Sequence, residues 1–193
     1  MTTRYGTSGA ERNSCAPTQS STEGTLTAWE HTDGGWRRKI GPVHAYLGSE
    51  GIGQSSEQHS RTPQGTFTLT QGFGRETDPG TQLPYFRTDL QDWWVSDVGA
   101  RSYNTHQRCA AESCPFDTGA SEQLNLVDPE YDYAVVIDAN MNPVVPGAGS
   151  AFFLHVANGG PTAGCVAIDQ GTLVTIIQWL DPAQHPRIAI GLG

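Results

Sequence analysis

Ala151-Phe152-Phe153-Leu154-His155-Val156-Ala157-Asn158-Gly159-Gly160-Pro161-Thr162-Ala163-Gly164-Cys165-Val166 reads as a strand, a tight loop and a return. A period of two places Ala151, Phe153 and His155 on one face of the strand and Phe152, Leu154 and Val156 on the other. Asn158, Gly159, Gly160 and Pro161 are turn formers, so the backbone can reverse within a few residues and bring Cys165 back beside His155.

That pairing has chemical meaning. A free thiol has a pKa near ~8.5 and is only slightly ionised at neutral pH, so a cysteine nucleophile needs a base next to it. His155 supplies one. Gly164, without a side chain, lets a substrate carbonyl approach the amides of Gly164 and Cys165, which could donate to a developing oxyanion. Read in isolation, the same residues also fit a buried structural cysteine and a hydrogen-bonded histidine at a strand end.

Working outward, residues 25–30 and 38–47 flank the turn signal Thr32-Asp33-Gly34-Gly35 and predict an N-terminal hairpin. Further strands are expected at 66–70, 134–138 and 151–156, with a closing strand at 187–191. Asp169 can cap a helix in which Leu173, Ile176, Ile177 and Leu180 recur at three- and four-residue steps, ended by Asp181-Pro182. This helix is expected to lie on the sheet and support the Cys165 loop from behind. The pattern is mainly β, with one or two short helices.

Residues 72–132 form a long stretch without clear periodicity, and connections of that size carry function or concealed structure. Trp93 and Trp94 fit satellite core packing beneath such a connection. The functional reading makes the stretch a lid over Cys165, with Trp94, Tyr103, Asn104 and, from the cysteine loop, Thr162 as substrate-binding residues. Cys109 and Cys114 suit a local disulfide in an oxidising compartment. A zinc site adding His106 is the alternative, but lacks a fourth ligand nearby. Cys15 is then an unpaired thiol.

A length of 193 residues with 36% hydrophobic content fits one catalytic domain, 23–193, preceded by a flexible N-terminal arm, 1–22. The net charge of −9 argues against a nucleic-acid surface, and Arg37-Arg38-Lys39 reads as an exposed hairpin end. No apolar run is long enough for a membrane span, and the N-terminal residues contain no apolar export segment.

Three separated stretches resemble the L,D-transpeptidase (YkuD-type) catalytic domain of bacterial cell-wall enzymes. Arg61-Thr62-Pro63-Gln64-Gly65-Thr66-Phe67-Thr68-Leu69 is similar to the family's Thr-Pro-x-Gly-x-Phe element. Residues 147–155 correspond to the segment bearing the family's catalytic histidine, and Thr162-Ala163-Gly164-Cys165-Val166 to its Ser/Thr-x-Gly-Cys-Val/Ile nucleophile motif. The resemblance implies a β-sandwich or mixed sheet with a small helical part. It also implies a Cys165 nucleophile, a His155 base and no metal or organic cofactor. The expected activity is 3→3 cross-linking of peptidoglycan stem peptides through a thioester, with carbapenem-type β-lactams as inhibitors. Secretion to the cell wall follows, with the export signal expected outside these residues. Many relatives carry histidine just before the Gly-Cys pair and arginine two residues after it, where this chain has Ala163 and Ala167. Those departures keep two alternatives in view: a carboxypeptidase or amidase on the same fold, and a non-catalytic wall-binding domain.

Overall fold

The computed structural model describes residues 11–193, with side chains from residue 15 onward. In chain order the strands are β1 (Glu11–Ala16), β2 (Glu23–Thr32), β3 (Gly35–Tyr46), β4 (Ile52–Gly53), β5 (Thr62–Pro63), β6 (Gly65–Gly74) and β7 (Tyr85–Arg87). They continue as β8 (Asp92–Trp94), β9 (His106–Arg108), β10 (Glu122–Gln123), β11 (Ala134–Ile137), β12 (Phe153–Val156), β13 (Val166–Ile168) and β14 (Arg187–Leu192). The α-helix α1 spans Gln170–Trp179. The expected mainly-β class is what folds.

Nine strands form one mixed sheet in the order β11-β12-β13-β3-β2-β1-β14-β6-β7, and β11 also pairs with β6. That additional pairing brings the sheet back on itself around a core of Leu26, Leu47, Leu69, Val135, Leu154 and Ile188. The β2–β3 hairpin turns through Asp33-Gly34 between the paired residues Thr32 and Gly35, a dipeptide suited to a two-residue reversal. Asp169 caps α1, its Oδ1 accepting from the Thr172 amide at 2.9 Å. Leu173, Ile176 and Ile177 are fully buried in the same core, each contributing about 1.5–3 kcal/mol by leaving water.

The N-terminal expectation needs correction. Residues 11–16 are not a free arm: β1 pairs parallel with β14 and antiparallel with β2. Its sequence lacks an alternating apolar pattern, but ladder hydrogen bonds use backbone groups that every residue carries, and two open strand edges were available to satisfy them. Cys15 is a free, half-buried thiol in this strand. Residues 1–10 lie outside the described residues.

The 72–132 stretch contains β7 to β10, of which β10, β8 and β9 form a separate three-stranded sheet. It brings Trp94 and Leu124 against Phe153 and Ala134 in a second core cluster. There Phe73, Trp94 and Tyr131 meet the Phe153 ring edge-on, with centroids 4.9, 5.0 and 5.4 Å away. Satellite packing was the better expectation for Trp94. A third cluster of Trp93, Val95 and Phe116 lies beside the Cys109–Cys114 disulfide. The bond engages both sulfurs, and His106 instead pairs with Asp92 at 2.8 Å, so the zinc alternative fails.

Candidate active site

The face predicted from alternation is the face that forms. Ala151 and Phe153 belong to the second cluster with Cys165, whereas Phe152, Leu154 and Val156 enter the main core. The strand itself is shorter than expected, because Ala151 adopts a positive φ of 56° and the ladder begins only at Phe153. Strands β12 and β13 run parallel, with Leu154 opposite Val166 and His155 opposite Ala167. Cys165 therefore enters β13 one residue before the ladder, alongside Phe153.

This register defines the thiol's surroundings. Sγ accepts from the Phe153 amide and donates to the Ala151 carbonyl, both at 3.3 Å. Burial pushes the Cys165 thiol well above the ordinary cysteine range, the nearby Glu122 charge adds to the rise, and the Phe153 amide only partly opposes it. At rest Cys165 is a protonated thiol.

His155 is buried, and its Nδ1 lies 2.8 Å from the Val156 carbonyl oxygen. A carbonyl can only accept, so Nδ1 carries the proton and Nε2 keeps its lone pair. Burial lowers the imidazole pKa below 6.5, while the Val156 contact and the charge of Glu130 pull it back up. The group orienting His155 is thus the backbone carbonyl of the next residue. Among the described residues, no hydrogen bond joins Sγ to His155; the resting pair is neutral thiol and neutral imidazole.

The loop before Cys165 is held by hydroxyls. Thr162 Oγ1 and Thr62 Oγ1 both donate to the Cys165 carbonyl, at 2.7 and 3.1 Å. Thr62 Oγ1 accepts in turn from the Gly48 amide at 2.8 Å. Thr162 is tied to the end of β3 by its amide to Leu47 and by its carbonyl, which accepts from Ser49. These contacts, rather than α1, hold the loop directly; α1 packs into the main core on the far side of β12. A Cβ on Gly164 would lie 2.9 Å from the Phe152 ring and 3.1 Å from the Arg61 carbonyl, at a φ of +149°. Glycine is required there by packing and backbone conformation. Its amide donates to Thr162 Oγ1 at 3.1 Å in the resting site.

Cys165, His155, Gly164 and Thr162 line one cleft of about 440 Å³. Trp94, Tyr103 and Asn104 do not. Trp94 donates through Nε1 to Asn104 Oδ1 at 2.9 Å, and Asn104 Nδ2 donates to the carbonyls of Ala139 and Asn140 at 3.1 and 2.8 Å. Tyr103 is buried and donates to Glu57. All three are supports whose polar atoms are already engaged, so the structure corrects their expected substrate contacts. The sequence reading missed Glu57, His59, Glu122, Glu130 and Tyr131, which also line the cleft. They come from aperiodic segments, and neither spacing nor composition marked them. Ala163 is an exposed part of the cleft wall, while Ala167 is buried beside His155 and Tyr46 in the sheet.

Cys165 and the oriented neutral His155 lie on or beside adjacent parallel strands and open on one cleft, the pairing of thiol and base on which cysteine-type acyl transfer depends. The family model of YkuD, the L,D-transpeptidase catalytic domain, matches residues 21–188, and the chain belongs to that family. It has no match among the curated proteins and none among the solved structures. The family acts on peptidoglycan and is generally cysteine-dependent. No helix among the described residues is long and apolar enough to cross a membrane.

Proposed function

We propose that this protein is a peptidoglycan L,D-transpeptidase that forms 3→3 cross-links through a thioester on Cys165. The observation that carries the reading is the His155–Val156 hydrogen bond, which leaves Nε2 as a proton acceptor in the cleft that also holds the thiol. His155 removes the Sγ proton as sulfur attacks the carbonyl of the third stem residue. It then delivers that proton to the nitrogen of the departing terminal D-alanine as the C–N bond breaks. The Gly164 and Cys165 amides are the expected oxyanion donors, with the Thr162 hydroxyl giving up its hold on the Gly164 amide as charge develops. An amine acceptor then attacks the thioester and releases the thiol.

The Cys109–Cys114 disulfide supports an extracytoplasmic setting at the cell wall. Carbapenem-type β-lactams, acyl donors themselves, are the inhibitors this chemistry admits. Incubation of the purified protein with tetrapeptide muropeptides tests the reading. Cross-linked dimers joined between third residues are expected; trimmed monomers alone would make the protein a carboxypeptidase, and unchanged substrate would leave it a binding domain.

A further inference from the structure

The proton count of the second half-reaction requires more than the histidine. An acceptor that arrives as an ammonium, R–NH3+, must lose two protons to become an amide nitrogen. His155 can carry one of them to the departing Sγ. The other needs a second base, whereas water, which loses only one proton to the leaving sulfur, needs none.

Glu122 meets that requirement. Pairing of β10 with β8 sets Glu122 opposite Trp94 and puts its half-buried side chain in the wall of the cleft that holds Cys165 and His155. Tyr131 Oη donates to its Oε2 at 2.5 Å, and the Tyr131 ring stands edge-on to His155 with centroids 5.6 Å apart. Glu122 Oε1 accepts no hydrogen bond among the described residues. Each of the other two carboxylates of the cleft is likewise bonded through one oxygen, Glu130 Oε1 to Asn158 at 2.6 Å and Glu57 Oε1 to Tyr103, but neither is hydrogen-bonded to the tyrosine that stands against His155. No lysine or arginine lines the cleft to neutralise them.

We infer that Glu122 is the base of the aminolysis step: its carboxylate binds the ammonium of a cationic primary-amine acceptor and removes one proton. The inference rests on the acyl-enzyme reading above. The neutral amine nitrogen then attacks the thioester carbonyl. His155 takes the second proton from that nitrogen, the C–S bond breaks, and the proton passes to Sγ. Glu122 returns its own proton to solvent. Burial pushes the Glu122 carboxyl up to about 7, Tyr131 acting against the rise and the Glu57 charge with it, which suits a group that must accept and release a proton near neutrality. The groups facing it are Tyr131, Glu57, Cys165, His155 and, beyond them, Glu130.

The experiment loads wild type and Glu122→Gln with the tetrapeptide donor and follows acyl-enzyme decay by mass spectrometry. The three acceptors are Nα-acetyl-lysine amide, which is cationic, hydroxylamine, which is neutral at pH 7, and water. Glutamine keeps an oxygen for Tyr131 but cannot take the proton. The lysine-amide reaction is expected to fall about a hundredfold, with a far smaller loss for hydroxylamine and water. An equal loss for all three, or no loss, overturns the role of Glu122 while the acyl-enzyme stands. Failure of the wild type to acylate overturns the underlying reading and this one with it. Should Glu122→Gln not accumulate acyl-enzyme, the wild-type pH profile decides. Aminolysis by the lysine amide levels off above pH of about 7 if Glu122 is the base, and climbs towards the free amine's own pKa of about 10.4 if it is not.

Discussion

At the scale of single residues, the site is organised by what its polar atoms have already bonded. The Val156 carbonyl fixes the His155 tautomer, and burial lowers the imidazole pKa below 6.5. His155 is therefore neutral and competent as a base through pH 6.5, and acylation of Cys165 is expected to decline only as pH falls below that value. An acylation rate halved at pH 7 or above, measured against a carbapenem, would contradict this. The same shift has a stability sign. Between its lowered folded pKa and 6.5 the unfolded chain binds the proton more readily, so His155 withdraws stability as pH falls through that window. Thr62 gives a second prediction. Its hydroxyl joins the Gly48 amide to the Cys165 carbonyl, and Thr62→Val leaves the Gly48 amide without that acceptor. A loss of about 1–3 kcal/mol in denaturant unfolding is expected, with slower acylation as the nucleophile loop loosens. Unaltered stability and rate would deny Thr62 this role.

Elements explain which parts of the site were legible in sequence. Strand β12 announced itself because one face is core and the other is site, and the period of two separated Leu154 and Val156 from Phe153 and His155. The α1 stripe and its Asp169 cap were legible for the same reason: local pattern and local hydrogen bonding coincide. The 72–132 segment offered no such pattern. Its short strands are specified by contacts with residues far away in sequence, and so Trp94 and Asn104 read as plausibly for ligand binding as for support. Their hydrogen bonds decide the matter. Asn104 accepts from Trp94 and from the Ala151 amide while donating to two carbonyls, joining the β8 region to the turn that starts the histidine strand. Asn104→Ala is expected to destabilise the protein by more than about 2 kcal/mol through unpaired buried groups, which a thermal or urea unfolding curve will read. A weakened KM at undiminished stability would instead restore a direct substrate contact. β1 was missed for the opposite reason: a polar strand held between two neighbours by backbone ladders leaves no apolar signature.

For the molecule as a whole, the sheet closes around one apolar core and lends its other face, at β11 and β12, to the active site. The long connection covers that face, and burial there keeps the Cys165 thiol and the His155 imidazole neutral. The Cys109–Cys114 link lies in a separate cluster with Trp93 and Phe116. Because it closes a short loop, its reduction is expected to cost about 2 kcal/mol and to leave Cys165 able to acylate; loss of acylation on mild reduction would tie the disulfide to the site. The three sequence motifs converge on one cleft: Thr62 clamps the backbone at Cys165, β12 carries His155, and the glycine loop returns Cys165 to the same cleft. This convergence is the physical basis for the proposed acyl transfer through Cys165. Intact-mass analysis after mixing the protein with a tetrapeptide stem donor tests it most directly. An adduct of the tripeptide acyl group on Cys165 is expected, with terminal D-alanine released, and none on Cys165→Ala; an unmodified wild type, or an adduct that survives in Cys165→Ala, rules out acyl transfer at this thiol.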